Sequence, residues 1–483
     1  MLNITRLISL PLILYFLPAF VFFLGEKSFF PYLIILVPIA LFLICYIEKN
    51  RLVRYFSFLY KHTPFKYFIY FYIWAIISGV VALICGYYSF SRFFSFVFIG
   101  FILRALLIYI YPQVVIPRYV SLKSLIKIFA AAYVLIFLWG ILEFIGAYFH
   151  ISVINDIVAF ISNIRGSQYS VIIDQHSNFP RVRSVCMEPG TFGLFIAVNL
   201  PIIYRLCLSK YKIFDNIYFN FFVKKVLIAF SWLCVILTQS PIYLIICLFV
   251  SIIFFYKKIF AFVKKYYRFF IIILSIATIA IVMFSTKYDL QKSYISRIIN
   301  FISVLGTFDI FEIIFTDQSL GTRIVNNINQ FVLFLKHPIF GIGFGNNGNL
   351  LIQQFLNSPV SLTPEMELHL QRGDASLIVT TNAMYYLLHK TGIVGFALYC
   401  LFMVKCIIYS AKAKIYFDGI EKVFVSALNK SLITIFSISI LYNQNFMDQY
   451  LFFLTALVSS IIVIAYLKNK EKFSKNTVEE NEK

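Results

Sequence analysis

The chain has 483 residues, of which 61% are hydrophobic and 13% charged, and its mean hydropathy is +0.86. Soluble domains carry roughly twice that charged fraction, so a cytosolic enzyme, a secreted disulfide scaffold and a disordered chain are all excluded. The formal net charge of +21 raises nucleic-acid binding as a question that charge placement has to answer.

Windows of about 20 mostly apolar residues mark helices able to cross a bilayer. They fall at residues 7–24, 29–47, 66–86, 93–111, 128–149, 191–208, 226–239, 241–256, 269–285, 392–410, 423–441 and 451–467. The predicted fold is all-α, one polytopic domain over residues 1–483 with about twelve transmembrane helices. Only Arg6 precedes the first apolar stretch, which contains Pro11 and Pro18 and lacks a small-residue cleavage pattern before Glu26. A retained span is expected there rather than a removed signal. With both termini inside, the inner loops and adjoining span ends hold 27 of the 42 Lys and Arg, against 12 in outer segments. This bias obeys the positive-inside rule and predicts a cytoplasmic-membrane protein with a cytoplasmic tail at 468–483. The basic residues are dispersed between spans, as at Lys257, Lys258, Lys264, Lys265 and Arg268. They form no single face, so nucleic acid is not an expected partner; the lipid bilayer is. The eight cysteines show no CxxC or Cys/His metal spacing, so neither a disulfide framework nor a metal site is expected.

Two long outer segments, 150–190 and 286–391, are where a site can be built. The first ends in Arg181-Val182-Arg183-Ser184-Val185-Cys186-Met187-Glu188-Pro189-Gly190. Pro189 suits a first helical turn, and a carboxylate at Glu188 is favoured by the helix dipole. Two arginines on the side where positive charge is disfavoured suit phosphate oxygens, through guanidinium's planar fork; solvated surface arginines are the bland alternative. In the second segment, Leu320, Ile324, Val325, Ile328, Phe331, Val332 and Leu335 recur at helical spacing, with Arg323, Asn326, Asn327 and Gln330 on another face. This predicts an amphipathic helix over 319–336, apolar side toward the bilayer, and Ile295, Arg297, Ile298 and Ile302 suggest a second.

His337-Pro338-Ile339-Phe340-Gly341-Ile342-Gly343-Phe344-Gly345-Asn346-Asn347-Gly348 follows. GxGxxG is satisfied, but no strand precedes it and no βαβ unit surrounds it, so dinucleotide binding fails on context. A Pro-stopped helix followed by glycines allows positive φ and close backbone approach. Such a turn either presents N–H groups to an anion or packs the outer helix against the spans. Within spans, Arg104 and Glu143 are the deepest ionisable residues and default to functional hypotheses. They differ in depth by roughly 12 Å at ~1.5 Å per residue, too far for an unstrained ion pair.

The order of these elements resembles the bacterial O-antigen polymerase and ligase superfamily. The matching features are R-x-R…E-P-G before a span, Thr238-Gln239-Ser240 at a tight outer turn, and Arg323 ahead of H-P-x-x-G-x-G-x-G-N. Asn382…Tyr385…Leu388…Gly392-Ile393-Val394-Gly395 completes the set. The resemblance implies an integral glycosyltransferase acting on undecaprenyl-diphosphate-linked oligosaccharide, with no cofactor, nucleotide sugar or metal. A chain-length regulator is implied as a partner. Ligases generally carry His-Asn where this chain has Thr381-Asn382, which favours the polymerase branch. Many relatives have Arg where Pro241 follows Ser240, so that turn departs from the pattern. The expected catalytic residues are Arg323, Arg183 and Glu188. Arg181, Arg297, His337, Gly341, Gly343, Gly345 and Asn346 are expected to bind substrate. Fixed cations meet the charge developing on the diphosphate, and Glu188, His176, His337 or Asp374 would accept the acceptor hydroxyl's proton. An O-antigen ligase and a lipid-linked oligosaccharide flippase are the alternatives, although transporters usually show an internal repeat that this sequence lacks.

Overall fold

A computed structural model describes residues 54–87, 89–94, 105–164, 180–184, 189–240, 242–256, 318–344, 349–371, 382–441 and 449–481. All regular elements among them are helical. The principal α-helices in chain order are α1 (Phe65–Ile84), α2 (Tyr111–Tyr119), α3 (Leu122–Tyr148), α4 (Ser152–Ile164), α5 (Pro189–Leu208) and α6 (Ile217–Leu237). They continue with α7 (Ile242–Tyr256), α8 (Gln318–Lys336), α9 (Asn349–Leu356) and α10 (Pro364–Gln371), then α11 (Ala383–Ala413), α12 (Gly419–Leu441) and α13 (Gln449–Asn481). Seven are long and apolar enough to cross a membrane: α1, α3, α5, α6, α11, α12 and the Leu451–Asn469 part of α13. The chain is thus a multi-pass membrane protein, all-helical among the described residues. The expected span at 241–256 coincides with the shorter α7, and part of 93–111 is the π-helical turn Ala105–Ile110 leading into α2. The expected spans at 7–24, 29–47 and 269–285 lie outside the described residues.

Contacts divide the chain into two compact units. The first draws on Met1–Ala132, Ser209–Ile217 and Ile310–Lys483, the second on Tyr133–Leu208 and Tyr218–Asp309.

In the first unit α11 packs against α1, α12, α13 and α8. Aromatic side chains fill the space between its helices. The Phe68 and Tyr109 rings stack with centroids 3.8 Å apart, and Phe402 and Phe452 lie 5.6 and 5.9 Å from Phe68. A polar contact joins α11 to α12, where Asn429 Nδ2 donates to Ile407 O and Ser410 Oγ, each at 2.7 Å. In apolar surroundings such side-chain bonds fix which helix faces meet.

Helix α8 buries much of the side expected to be polar. Its apolar residues Val325 and Leu333 form a core with Ile342, Leu351, Phe355 and Met366, supplied by α9, α10 and the intervening turn. The flanking amides are buried too, including Asn326, Asn329 and Gln330. Asn329 Nδ2 donates to Ser358 Oγ at 2.9 Å, Gln354 Nε2 to Asn329 Oδ1 at 3.2 Å, and Lys336 Nζ to Gln354 Oε1 at 2.7 Å. The segment therefore carries a small core of its own, to which the predicted apolar face contributes Val325 and Ile324, while Ile328 and Val332 on that face are half-buried. Phe331 and Leu335 remain exposed on α8.

In the second unit α5 is the buried centre, with Phe192, Ile196, Ala197, Leu200 and Ile203 almost wholly enclosed. Its polar Asn199 is satisfied inside the unit, accepting from Tyr133 Oη at 2.6 Å and donating to Phe195 O at 2.8 Å. Gly193 lets α7 approach: a Cβ there would stand 2.7 Å from Tyr243 Cβ and 2.9 Å from its Cγ. Gly193→Ala would gain up to about 1 kcal/mol of helix propensity, but overpacking against an atom that cannot rotate away costs about 1–3 kcal/mol. The expected net result is a lower thermal unfolding midpoint in detergent; a raised midpoint would contradict this packing.

Candidate functional site

The two halves of the motif set lie in different units, and each closes on a partner within its own unit. In the first unit the partner of the glycine turn is a break in α11. Asn382 caps the helix start, its Oδ1 accepting from Tyr385 N at 3.0 Å, as a residue freed from helical geometry can. The helix is interrupted at Gly392, where φ is 68° and ψ is −174°. A left-handed φ here strongly favours glycine, and space demands it as well: a Cβ would fall 1.9 Å from Ile339 O.

The turn after α8 fills the break with backbone. Ile342 N donates to His389 O at 2.8 Å, Gly343 N to Lys390 O at 3.0 Å, and Ile393 N to Pro338 O at 2.8 Å. Gly341 and Gly343 have φ of 68° and 84°, and a Cβ on Gly341 would stand 2.5 Å from the Lys390 carbonyl carbon. Helix α1 seals the joint. Ser78 Oγ bonds both Phe340 O at 2.5 Å and Lys390 O at 2.9 Å, and Trp74 Nε1 donates to Thr391 O at 2.9 Å. The Trp74 and Phe340 rings stack at 5.2 Å. Of the two uses expected for this turn, the structure shows the packing one. The N–H groups of Ile342 and Gly343 are spent on carbonyls, so they do not form a nest open to an anion. Gly345 and Asn346 lie outside the described residues.

His337 stands at the entrance to this turn, half-buried, with Tyr87 Oη 3.3 Å from its Nδ1 and the Tyr87 ring edge-on at 5.1 Å. Burial, and then the neighbouring Lys336 charge, lower its pKa from 6.5, so the ring is neutral at pH 7. Arg323 is half-buried near the start of α8. Fourteen helical positions separate it from His337, about 20 Å along the axis, so the two cannot serve one reacting centre.

Sequence reasoning passed over the residues that line the break. Lys390 is fully buried, its Nζ 5.8 Å from the centre of the Tyr386 ring, although by charge counting it is one more outer basic residue. His389 is also buried, its Nδ1–H donating to Tyr385 O at 2.8 Å, and its Nε2 has no hydrogen-bond partner among the described residues. The signal available in sequence was Trp74 and Ser78, one turn apart on an otherwise apolar span.

In the second unit the R-x-R motif is a strap held at both sides. Val182 N donates to Leu237 O at 2.9 Å, Arg181 Nε to Thr238 O at 3.4 Å, and Gln239 Nε2 to Pro180 O at 3.4 Å. The strap thus lies on the Thr238-Gln239-Ser240 turn. Its other side rests on α3, where Gly140 leaves room: a Cβ there would meet Val182, Ser184 and Phe192 at 3.2–3.3 Å.

Arg183 is 1% exposed, and its Nε is 3.5 Å from Glu143 Oε1. The other Glu143 oxygen accepts from Ser184 N at 2.6 Å, and Ser184 Oγ donates to Ile136 O at 2.7 Å. Glu143 therefore has a cationic partner, supplied by the strap, whereas Arg104 lies outside the described residues. Arg183 was expected at the diphosphate; the structure places it out of solvent against a carboxylate. Arg181 is half-buried on the same strap. Glu188, His176, Arg297 and Asp374 lie outside the described residues. Among the described residues no group of three or more His, Cys, Asp or Glu side chains is placed to hold a metal ion.

Comparison with protein-family models and with curated protein sequences finds no match.

Breaking a buried ion pair from one side leaves an uncompensated charge and costs about 3–5 kcal/mol, whereas replacing both partners with apolar residues of similar size is often near neutral. Glu143→Leu alone is therefore expected to lower unfolding stability in detergent by that amount, and Glu143→Leu with Arg183→Met to recover most of it. A single variant as stable as the wild type would show that the pair does not hold the strap.

Proposed function

We propose that the chain is a polysaccharide polymerase of the cytoplasmic membrane, with about twelve spans and both termini inside. It would transfer a growing glycan from undecaprenyl diphosphate to the non-reducing sugar of an incoming lipid-linked repeat unit on the outer side. The observation that carries this reading is the pairing of the resemblance motifs. Segments far apart in sequence meet two by two: the glycine turn with the Asn382–Gly392 segment, and the R-x-R strap with the Thr238 turn. Motifs that merely happened to match would have no reason to be one another's hydrogen-bond partners.

Sidedness supports the same topology. Tyr87 meets His337, and the strap meets the Thr238 turn, each contact joining two segments assigned to the outer side. Lys127 meets Asp215, and Lys468 meets Glu421, each joining two assigned to the inner side.

In the transfer, an acceptor hydroxyl oxygen attacks the anomeric carbon of the donor glycan. The bond from that carbon to the diphosphate oxygen breaks, and the diphosphate leaves on its lipid. The hydroxyl proton passes to a base. Arg323 is assigned to the leaving diphosphate, where a fixed cation stabilises developing charge. Arg183 enters as the residue that anchors the strap through Glu143, which leaves Arg181 as its half-buried cation. His337 is too far along α8 to act with Arg323 and is assigned to the turn. The base then falls to Glu188, His176 or Asp374.

Purified protein in liposomes supplied with undecaprenyl-diphosphate oligosaccharide is expected to yield a ladder of longer glycans. Arg323→Ala should cut extension by roughly 10²–10³-fold while inserting normally. Normal polymer from that variant would reject the assignment of Arg323. Transbilayer movement without any extension by the wild type would replace the polymerase with a flippase, and transfer to lipid A core alone would replace it with a ligase.

A further inference from the structure

Four segments assigned to the inner side meet in the first unit around a cleft of about 780 Å³. Each supplies charge. Lys123 and Lys127 come from the start of α3, Lys212 from the connection before α6, and Lys468 from α13. The carboxylates facing them are Asp215, Asp418 and Glu421. Two lysines are already engaged: Lys127 Nζ is 2.6 Å from Asp215 Oδ2, and Lys468 Nζ is 2.5 Å from Glu421 Oε2. Lys123 and Lys212 are exposed and have no hydrogen-bond or ion-pair partner among the described residues. Both still act on Asp215, whose carboxyl is held below the usual carboxylate range, first by the Lys127 hydrogen bond and charge and then by Lys123 and Lys212. One carboxylate thus sits among three ammonium groups, an excess of positive charge at the α3 side of the cleft.

The rim is apolar beside those cations. Tyr211 and Tyr416 line the cleft, and Ile415 next to them is 72% exposed. A free anion needs only the charges, whereas a headgroup joined to acyl chains also uses an exposed apolar border. The site lies at the ends of span-length helices α3, α12 and α13, where a bilayer surface meets protein. Aromatic rings and lysine stems suit that boundary, with an apolar body and a polar tip.

We propose that this cleft binds the phosphate headgroup of an anionic lipid, with Lys123 and Lys212 as its principal cations and Tyr211 and Tyr416 against the glycerol and upper acyl region. Lysines at an anionic membrane surface contribute about 1 kcal/mol each, which is about a factor of five in affinity per residue. The leaflet, and only the leaflet, rests on the proposed orientation.

The test uses the full chain in detergent, titrated with phosphatidylglycerol, phosphatidylcholine or inorganic phosphate. Bound lipid is read by native mass spectrometry, and the unfolding midpoint is followed in parallel. Phosphatidylglycerol is expected to stay bound and raise the midpoint, and phosphatidylcholine to do neither. Lys123→Gln with Lys212→Gln should weaken phosphatidylglycerol binding roughly 30-fold. The midpoint without lipid should not change, because both ion pairs are left intact. Equal binding by this double variant, or equal retention of phosphatidylcholine, would overturn the site. Displacement of the lipid by inorganic phosphate would overturn the lipid assignment in favour of a free anion. Labelling of Lys123→Cys from the outside of intact cells would overturn the orientation and leave the headgroup chemistry standing.

Discussion

Backbone groups released from a helix inside apolar surroundings have to be satisfied by protein, because lipid offers no hydrogen bonds. The break at Gly392 releases several within α11, the helix around which the first unit is packed. The turn from Pro338 to Gly343 answers them one for one: its N–H groups meet the His389 and Lys390 carbonyls, and its Pro338 carbonyl meets the Ile393 N–H. This exchange needs backbone against backbone. Glycine at 341 and 392 is therefore a requirement of space as much as of φ. From it follow the seating of α8 on α11, the small core of α8, α9 and α10, and the place of Arg323 near the start of α8.

The second unit solves a different problem with similar means. A strap carrying two arginines has to be seated beside apolar helices. One arginine is neutralised by Glu143 and the other is tied to a carbonyl of the Thr238 turn. Desolvating a guanidinium is tolerable only when its charge and donors are met, and the carboxylate of Glu143 also takes the Ser184 N–H. The structure thus separates two arginines that look equivalent in sequence.

Much of the fold was legible because hydrophobic runs and loop charge are strong signals in a membrane chain. The helices at 65–84, 189–208, 419–441 and 451–469 fall where apolar windows predicted them, and those at 122–148 and 217–237 overlap their windows but begin earlier, in stretches read as loop. Less legible was anything that depends on tertiary partners. The side of α8 that carries Asn326 and Gln330 reads as polar in sequence, and only the folded chain shows it buried, next to Val325 and Leu333 in the core shared with α9 and α10. Glu143 was left without a plausible partner because depth could be compared only among residues within spans, and its partner comes from a loop. The span from 392 was drawn to begin at Gly392, whereas α11 begins at Ala383 and holds Lys390 inside it. A lysine two positions before a glycine reads as a loop in sequence, and only the contacts of Ser78 and Trp74 make it an interior position.

The most direct test of this arrangement is amide hydrogen exchange on the unliganded protein in detergent. If the glycine turn is backbone docked into the break of α11, the amides of Ile342, Gly343 and Ile393 should exchange as slowly as those in the interior of α11. Fast exchange at Ile342 and Gly343 that slows only when a lipid diphosphate is added would contradict it, since those N–H groups would then belong to an open anion site.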